Sequence, residues 1–97
     1  MLNAMINFED KCQVEVSLED FFNEFVELDS YDVYFDKITD LIYDFDNSGA
    51  TYVSHPNETL FFIECDDKKI ANKVEYWLNK KFEVINMQLV EELEENM

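Results

Sequence analysis

The chain has 97 residues, 47% hydrophobic and 15% aromatic, which is enough apolar side chain for one folded core and too little length for a second. Twenty-three Asp and Glu against seven Lys, with no Arg, give a net charge of -16, beyond the magnitude of about 2–8 that keeps a small domain soluble. A field of that sign argues against direct binding of nucleic acid or anionic membranes and favours cations or basic proteins as partners.

In chain order, Met1–Asp10 shows no clear periodicity, whereas Lys11–Val16 alternates through Cys12, Val14 and Val16 as a short strand would. Ser17-Leu18-Glu19-Asp20 resembles a capping box with Asp in place of Glu. Leu18, Phe21, Phe22, Phe25 and Leu28 then mark the apolar face of a first helix, with Asp20, Glu24 and Glu27 on the opposite side. Asp29-Ser30 breaks that helix and caps a second, predicted from about Tyr31 to Phe45, whose apolar residues are Tyr34, Phe35, Ile38, Leu41, Ile42 and Phe45. Asp46-Asn47-Ser48-Gly49 is the clearest loop, and Ser54–Asn57, with the one Pro, the clearest turn. Thr51–Val53 and Thr59–Cys65 read as a hairpin. Asp66 or Asp67 is placed to cap a third helix running through Lys80 on a stripe of Ile70, Val74, Trp77 and Leu78, followed by a strand at Phe82–Met87 and a short helix or frayed tail from Gln88. The expected architecture is one α+β domain over 1–97, with a small antiparallel or mixed sheet of three to four strands covered by three amphipathic helices. A right-handed crossover from Leu60–Ile63 through the third helix to Val84–Met87 is one way to build it.

Few residues offer catalytic chemistry. His55 is the sole histidine and reads as a surface turn residue, with no Cys, Ser or second His at a spacing that would start a triad or a zinc site. Cys12 and Cys65 read as free, partly buried thiols. A single Gly and no phosphate-cradling loop leave little scaffold for a deep pocket, so no enzymatic activity and no cofactor are expected. Asp44, Asp46 and Ser48 with Gly49 match the opening of an EF-hand calcium loop. Position twelve is His55 instead of a bidentate Glu, however, and β-rich residues replace the exit helix, so the expectation is a helix closed by a left-handed Gly49 and no metal. No charged-then-apolar leader and no run of roughly 18 apolar residues is present, which sets a cytoplasmic expectation, the host cytoplasm if the chain is phage-encoded.

The acids themselves are the most informative pattern. Asp32, Asp36, Asp40 and Asp44 recur at every fourth residue of the second helix, forming a ladder with steps of about 6 Å along the axis. Three like-charged i,i+4 pairs work against the helix by about 0.6–1.5 kcal/mol at low salt. Asp is also a poorer helix former than Glu, and Asp40 and Asp44 approach the negative end of the helix dipole. Lys37 is the one base among them. Residues 1–66 hold sixteen acids against Lys11 and Lys37, whereas Lys68, Lys69, Lys73, Lys80 and Lys81 all lie further on, so the chain is electrically polarised.

In size, acidity, aromatic content and the Asp32/Asp36/Asp40/Asp44 ladder, the chain resembles the small acidic DNA-mimic proteins of bacteriophages, the Ocr-like and T4 Arn-like antirestriction proteins and the anti-CRISPR inhibitors. The resemblance implies a non-enzymatic inhibitor, often dimeric, that occupies the DNA-binding cleft of a basic DNA-binding protein such as a restriction or CRISPR nuclease. It also implies that Glu19, Asp20, Glu24, Glu27, Asp32, Asp36, Asp40, Asp44 and Asp46 stand in for phosphates. The Lys cluster departs from the near-uniform acidity of Ocr-like proteins. The alternative is an immunity protein or antitoxin that neutralises one basic toxin nuclease, with the same electrostatics and a single partner.

Overall fold

The computed structural model describes residues 2–46 and 49–95. Its elements are β1 (Ala4–Ile6), β2 (Gln13–Ser17), α1 (Glu19–Phe25), α2 (Tyr31–Tyr43), β3 (Thr51–Asn57), β4 (Leu60–Cys65) and α3 (Lys68–Glu95). The strands form one antiparallel sheet in the order β1-β2-β4-β3, so the protein is α+β with a four-stranded sheet and three helices.

Alternation along each strand puts one set of side chains into the core. Register aligns Ala4 with Val16 and Val16 with Phe61 in one row, and Ile6, Val14, Ile63 and Val53 in the next. Against these rows α3 lays Ala71, Val74, Leu78, Phe82, Ile85 and Leu89, all buried at helical spacing. Phe21 and Phe25 of α1 and Ile38 and Ile42 of α2 complete the same core cluster. Among the described residues no helix is long and apolar enough to cross a membrane.

The single helix α3 overturns the expected ending. Phe82–Met87 is not a strand and Gln88–Glu95 is not a frayed tail, so the proposed crossover does not exist; all belong to a helix of 28 residues. Phe82, Val84 and Ile85 have strand propensity, but Leu78, Phe82, Ile85 and Leu89 continue the 4-3-4 spacing of the preceding turns, and no Gly or Pro interrupts it. Packing of the stripe outweighs local preference. The start of α3 is as expected at Asp67, whose Oδ1 accepts the Ile70 N–H at 2.9 Å while its carbonyl accepts the Ala71 N–H at 3.1 Å.

A second role for α3 had no counterpart in the expected fold. On the side of β1 facing away from β2, the Leu2 N–H donates to Asn86 Oδ1 (3.1 Å), the Ala4 N–H to Asn79 Oδ1 (2.8 Å) and the Ile6 N–H to Glu75 Oε2 (2.7 Å). Asn79 Nδ2 donates back to the Ala4 carbonyl at 2.9 Å, and Asn86 Nδ2 to the Leu2 carbonyl at 3.1 Å. Two amide side chains one heptad apart thus act as surrogate backbone for an edge strand.

Smaller differences follow from local chemistry. Leu18, not Ser17, occupies the N-cap of α1, with no side-chain cap bond, and the Leu18 N–H is taken by the Thr59 carbonyl of the β3–β4 turn at 2.6 Å. That helix ends at Phe25, leaving Glu27 in the turn that follows. Ser30 sits at the N-cap of α2 but directs its hydroxyl to Glu92 of α3. The expected turn at Ser54–Asn57 lies within β3 as a register irregularity, and the chain reverses between Asn57 and Leu60. Gly49 has φ +90°, as a left-handed position requires, yet α2 has already ended at Asp44 in right-handed geometry. Asn47 and Ser48 of the calcium-loop match lie outside the described residues, and the chain leaves that loop as the strand β3.

Asn79→Ala removes both partners of Ala4 and leaves its N–H and carbonyl unpaired beneath α3. It is expected to cost about 1–3 kcal/mol, a sizeable share of a total of about 5–15 kcal/mol, measured as a lower urea midpoint with unchanged slope.

Candidate acidic interaction surface

Burial of Ile38 and Ile42 fixes the rotation of α2 about its axis, and the ladder is then carried to the far side. Asp32, Asp36, Asp40 and Asp44 are all exposed, and Asp44 keeps helical geometry as the C-cap, its N–H bonded to the Asp40 carbonyl at 3.0 Å. Val33, 68% exposed, lies among them. On α1, burial of Phe21 and Phe25 similarly exposes Glu19, Asp20 and Glu24. Glu27 is exposed in the following turn, where it shares with Glu24, Asp29, Leu28 and Leu93 a cleft of about 360 Å³.

The two acidic helices are joined by aromatic contacts. Tyr31, the first residue of α2, stacks on Phe21 at 5.0 Å, meets Phe22 edge-on at 6.3 Å and lies 5.9 Å from Phe35. Burial, and then the Asp32 carboxylate beside it, pushes the Tyr31 phenol above its usual pKa. At the other flank Tyr34 is raised first by burial and then by Glu92, to which it is hydrogen-bonded. Glu92 therefore receives both Ser30 and Tyr34, and it ties the N-terminal end of α2 to the C-terminal part of α3. A carboxylate from the segment expected to be a short helix or a frayed tail is a structural tether.

Asp46 differs from the other eight acids in being half-buried, with Oδ1 accepting the Val53 N–H at 3.2 Å. One of its oxygens is spent on holding β3 against the loop. Nor is the ladder uniform in its surroundings, since Asp44 shares a cleft of about 330 Å³ with Lys73, Phe45 and Trp77. The Asp32 end has no such cation beside it in α3, where Glu92 is the neighbour of Ser30 and Tyr34.

His55 is exposed, but it lies in β3 and its ring stacks on Phe61 at 4.1 Å, with Tyr43 Oη 3.3 Å from Nδ1. With Leu18, Phe22, Tyr31 and Phe35 it lines a mostly apolar cleft of about 240 Å³, and Glu58 stands at the same cleft. Sequence periodicity assigned these rings to a helix core and could not show that the hairpin reaches them. Cys12 and Cys65 are free and half-buried, brought together by the β2–β4 pairing, with the Cys65 N–H donating to the Cys12 carbonyl at 2.8 Å. Burial, then Cys12, and then the carboxylates of Glu64, Asp66 and Asp67 push the Cys65 thiol up to about 11. Among the described residues no group of three His, Cys, Asp or Glu is placed to hold a metal ion.

No protein-family model matches the chain, no curated protein matches its sequence, and no solved structure matches its fold.

Two measurements check this electrostatic description. Asp36→Asn, Asp40→Asn and Asp44→Asn together remove the like-charge pairs of the ladder, so the triple variant is expected to melt at or above the temperature of the natural chain at low salt, the gap closing as salt is added. Cys65 reacts as its thiolate, and a raised pKa means the thiolate fraction grows about tenfold per pH unit until near pH 11. Alkylation followed by peptide mass spectrometry should therefore accelerate at Cys65 from pH 8 to pH 10.

Proposed function

We propose that this protein is a DNA mimic that binds a basic DNA-binding protein of a host-defence system, a restriction or CRISPR nuclease, and blocks its DNA cleft. The observation that carries the reading is the rigid, outward ladder of Asp32, Asp36, Asp40 and Asp44, turned away from buried Ile38 and Ile42. Short Asp side chains hold charge near the backbone and have little rotamer freedom to lose on docking. At about 6 Å per step the ladder is sparser than a DNA strand, which rises about 3.4 Å per phosphate. Glu19, Asp20 and Glu24 on α1 add charge beside it, held by the Tyr31 aromatic contacts.

A protein that accepts carboxylates where phosphates normally sit gives up a DNA duplex to bind this chain, and its affinity falls steeply with salt. Nothing in this role requires a nucleophile, a cofactor or contact with nucleic acid. Asp46, with one oxygen held by Val53, contributes less than its neighbours. The electrostatics also fit an immunity protein facing one toxin nuclease; the identity of the captured partner separates the two.

The test is affinity capture from bacterial extract on the immobilised chain, with elution by a duplex oligonucleotide. A DNA-binding protein should be captured and released by the duplex, and D36N/D40N/D44N should weaken its capture at least about tenfold, a loss of about 1.4 kcal/mol. Capture untouched by the triple variant would rule out the ladder as the contact surface, and capture of a single toxin would favour the immunity reading.

A further inference from the structure

The helix α3 is enclosed on three sides and open on the fourth. Its buried stripe faces the sheet, Glu75, Asn79 and Asn86 hold the β1 edge, and α2 lies along another flank through Lys37 with Gln88, Phe45 with Trp77, and Tyr34 with Glu92. At 100° per residue, the side opposite the buried stripe carries Lys69, Lys73, Tyr76 and Lys80 in its first half and Val84, Met87, Glu91 and Glu94 in its second. Every one of these is exposed, and the large apolar ones are conspicuously so: Tyr76 at 67%, Val84 at 54% and Met87 at 66%. Elsewhere the acids dominate: five of the seven Lys and six of the 23 acids lie in α3, so the helix is nearly neutral and the rest of the chain carries -15.

Read outward from a point between Lys81 and Phe82, the two halves of this face are opposite in charge and alike in apolar content. An antiparallel copy placed about a two-fold axis at that point brings Lys69 to the partner's Glu94 and Tyr76 to the partner's Met87, and sets Lys73 one residue from the partner's Glu91. Lys80 falls beside the partner's Glu83 and Val84. Each contact occurs twice, as a two-fold interface demands. The pairs are basic with acidic and aromatic with thioether; the one like-charged approach is between the two Lys80 residues, about 4.5 Å apart along the helix direction, each with the partner's Glu83 beside it. A parallel arrangement would place Lys against Lys and Glu against Glu. Because a chain of net charge -16 repels its own kind, self-association has least to overcome where the Lys residues are.

We propose that the outward face of α3 is a homodimer interface in which two copies pair antiparallel across a two-fold axis between Lys81 and Phe82. The contact is made by α3 alone; Asp44 of the α2 ladder borders it through the cleft shared with Lys73, and the inference does not rest on the proposed inhibitory role.

Sedimentation velocity of the full chain from about 10 to about 300 µM tests it, since a single helix pair is a small interface and its dimer a concentration-dependent one. The natural chain should shift from monomer to dimer over that range. Lys69→Glu with Lys73→Glu makes both ends of the face acidic, and Glu91→Lys with Glu94→Lys makes both ends basic; each double variant alone should remain monomeric. Mixed in equal amounts, they should form a dimer again, because every pair across the axis is then complementary. Circular dichroism establishes that each variant is folded, the substituted sites being exposed. D32N/D36N/D40N, which leaves Asp44 beside Lys73, should dimerise like the natural chain. A natural chain that stays monomeric, a dimer indifferent to both double variants, a mixture that stays monomeric, or a dimer lost in the triple Asn variant would each overturn the proposal, the last by showing a contact between Lys and the ladder.

Discussion

Hydrogen bonding between the side chains of one helix and the backbone of a three-residue strand sets the geometry of this protein. The strand β1 is too short to be held by its pairing with β2 alone, and its outer N–H and carbonyl groups would be half-buried without partners. Asn79 and Asn86, a heptad apart, supply them. Those bonds fix the rotation of α3, because Leu78, Phe82, Ile85 and Leu89 can face the sheet only when the two amides face its margin. The flank remaining beside them receives α2, and the rotation of α2 in turn decides where its carboxylates point.

Charge is distributed along the same lines. An ordinary small domain intersperses Lys with Glu over its whole surface; here Lys is concentrated on the one helix that touches every other layer, and α1 and α2 are left with exposed acids and Lys37. The tether at Glu92 shows that acidity is also used internally, where a carboxylate shared by Ser30 and Tyr34 holds the acidic helix in place. Asp46 on Val53 and Asp67 on Ile70 do comparable work at a strand and at a helix start. The remainder that faces solvent is therefore smaller than the composition suggests, and α1, α2 and the turn between them carry much of it.

The sequence made some of this legible and hid the rest for identifiable reasons. The period of α2, the β2 alternation, the β3–β4 hairpin and the Asp67 cap were all readable because each is a local pattern with a local cause. The ladder was readable for the same reason, and so was its outward direction once Ile38 and Ile42 were placed in the core. By contrast β1 is only three residues long and is held by residues 69 to 84 positions away, a distance over which periodicity carries no information. The continuation of α3 through Phe82–Met87 was obscured by its strand-forming residues, although the 4-3-4 stripe that decides the matter was present. Glu27 and Asp46 illustrate a subtler limit: residue type gave their charge, but only tertiary contacts show that one sits in a turn and the other has an oxygen already engaged.

Closing the β1 margin with amides has an effect on how the molecule behaves in a crowded solution. A sheet whose outer backbone groups are occupied offers no template for strand addition. On the opposite margin the Val53 N–H is taken by Asp46, and Pro56 has no proton to give. A chain with nearly half its residues apolar thus has the usual route to amyloid-like stacking closed along β1 and interrupted at two positions along β3.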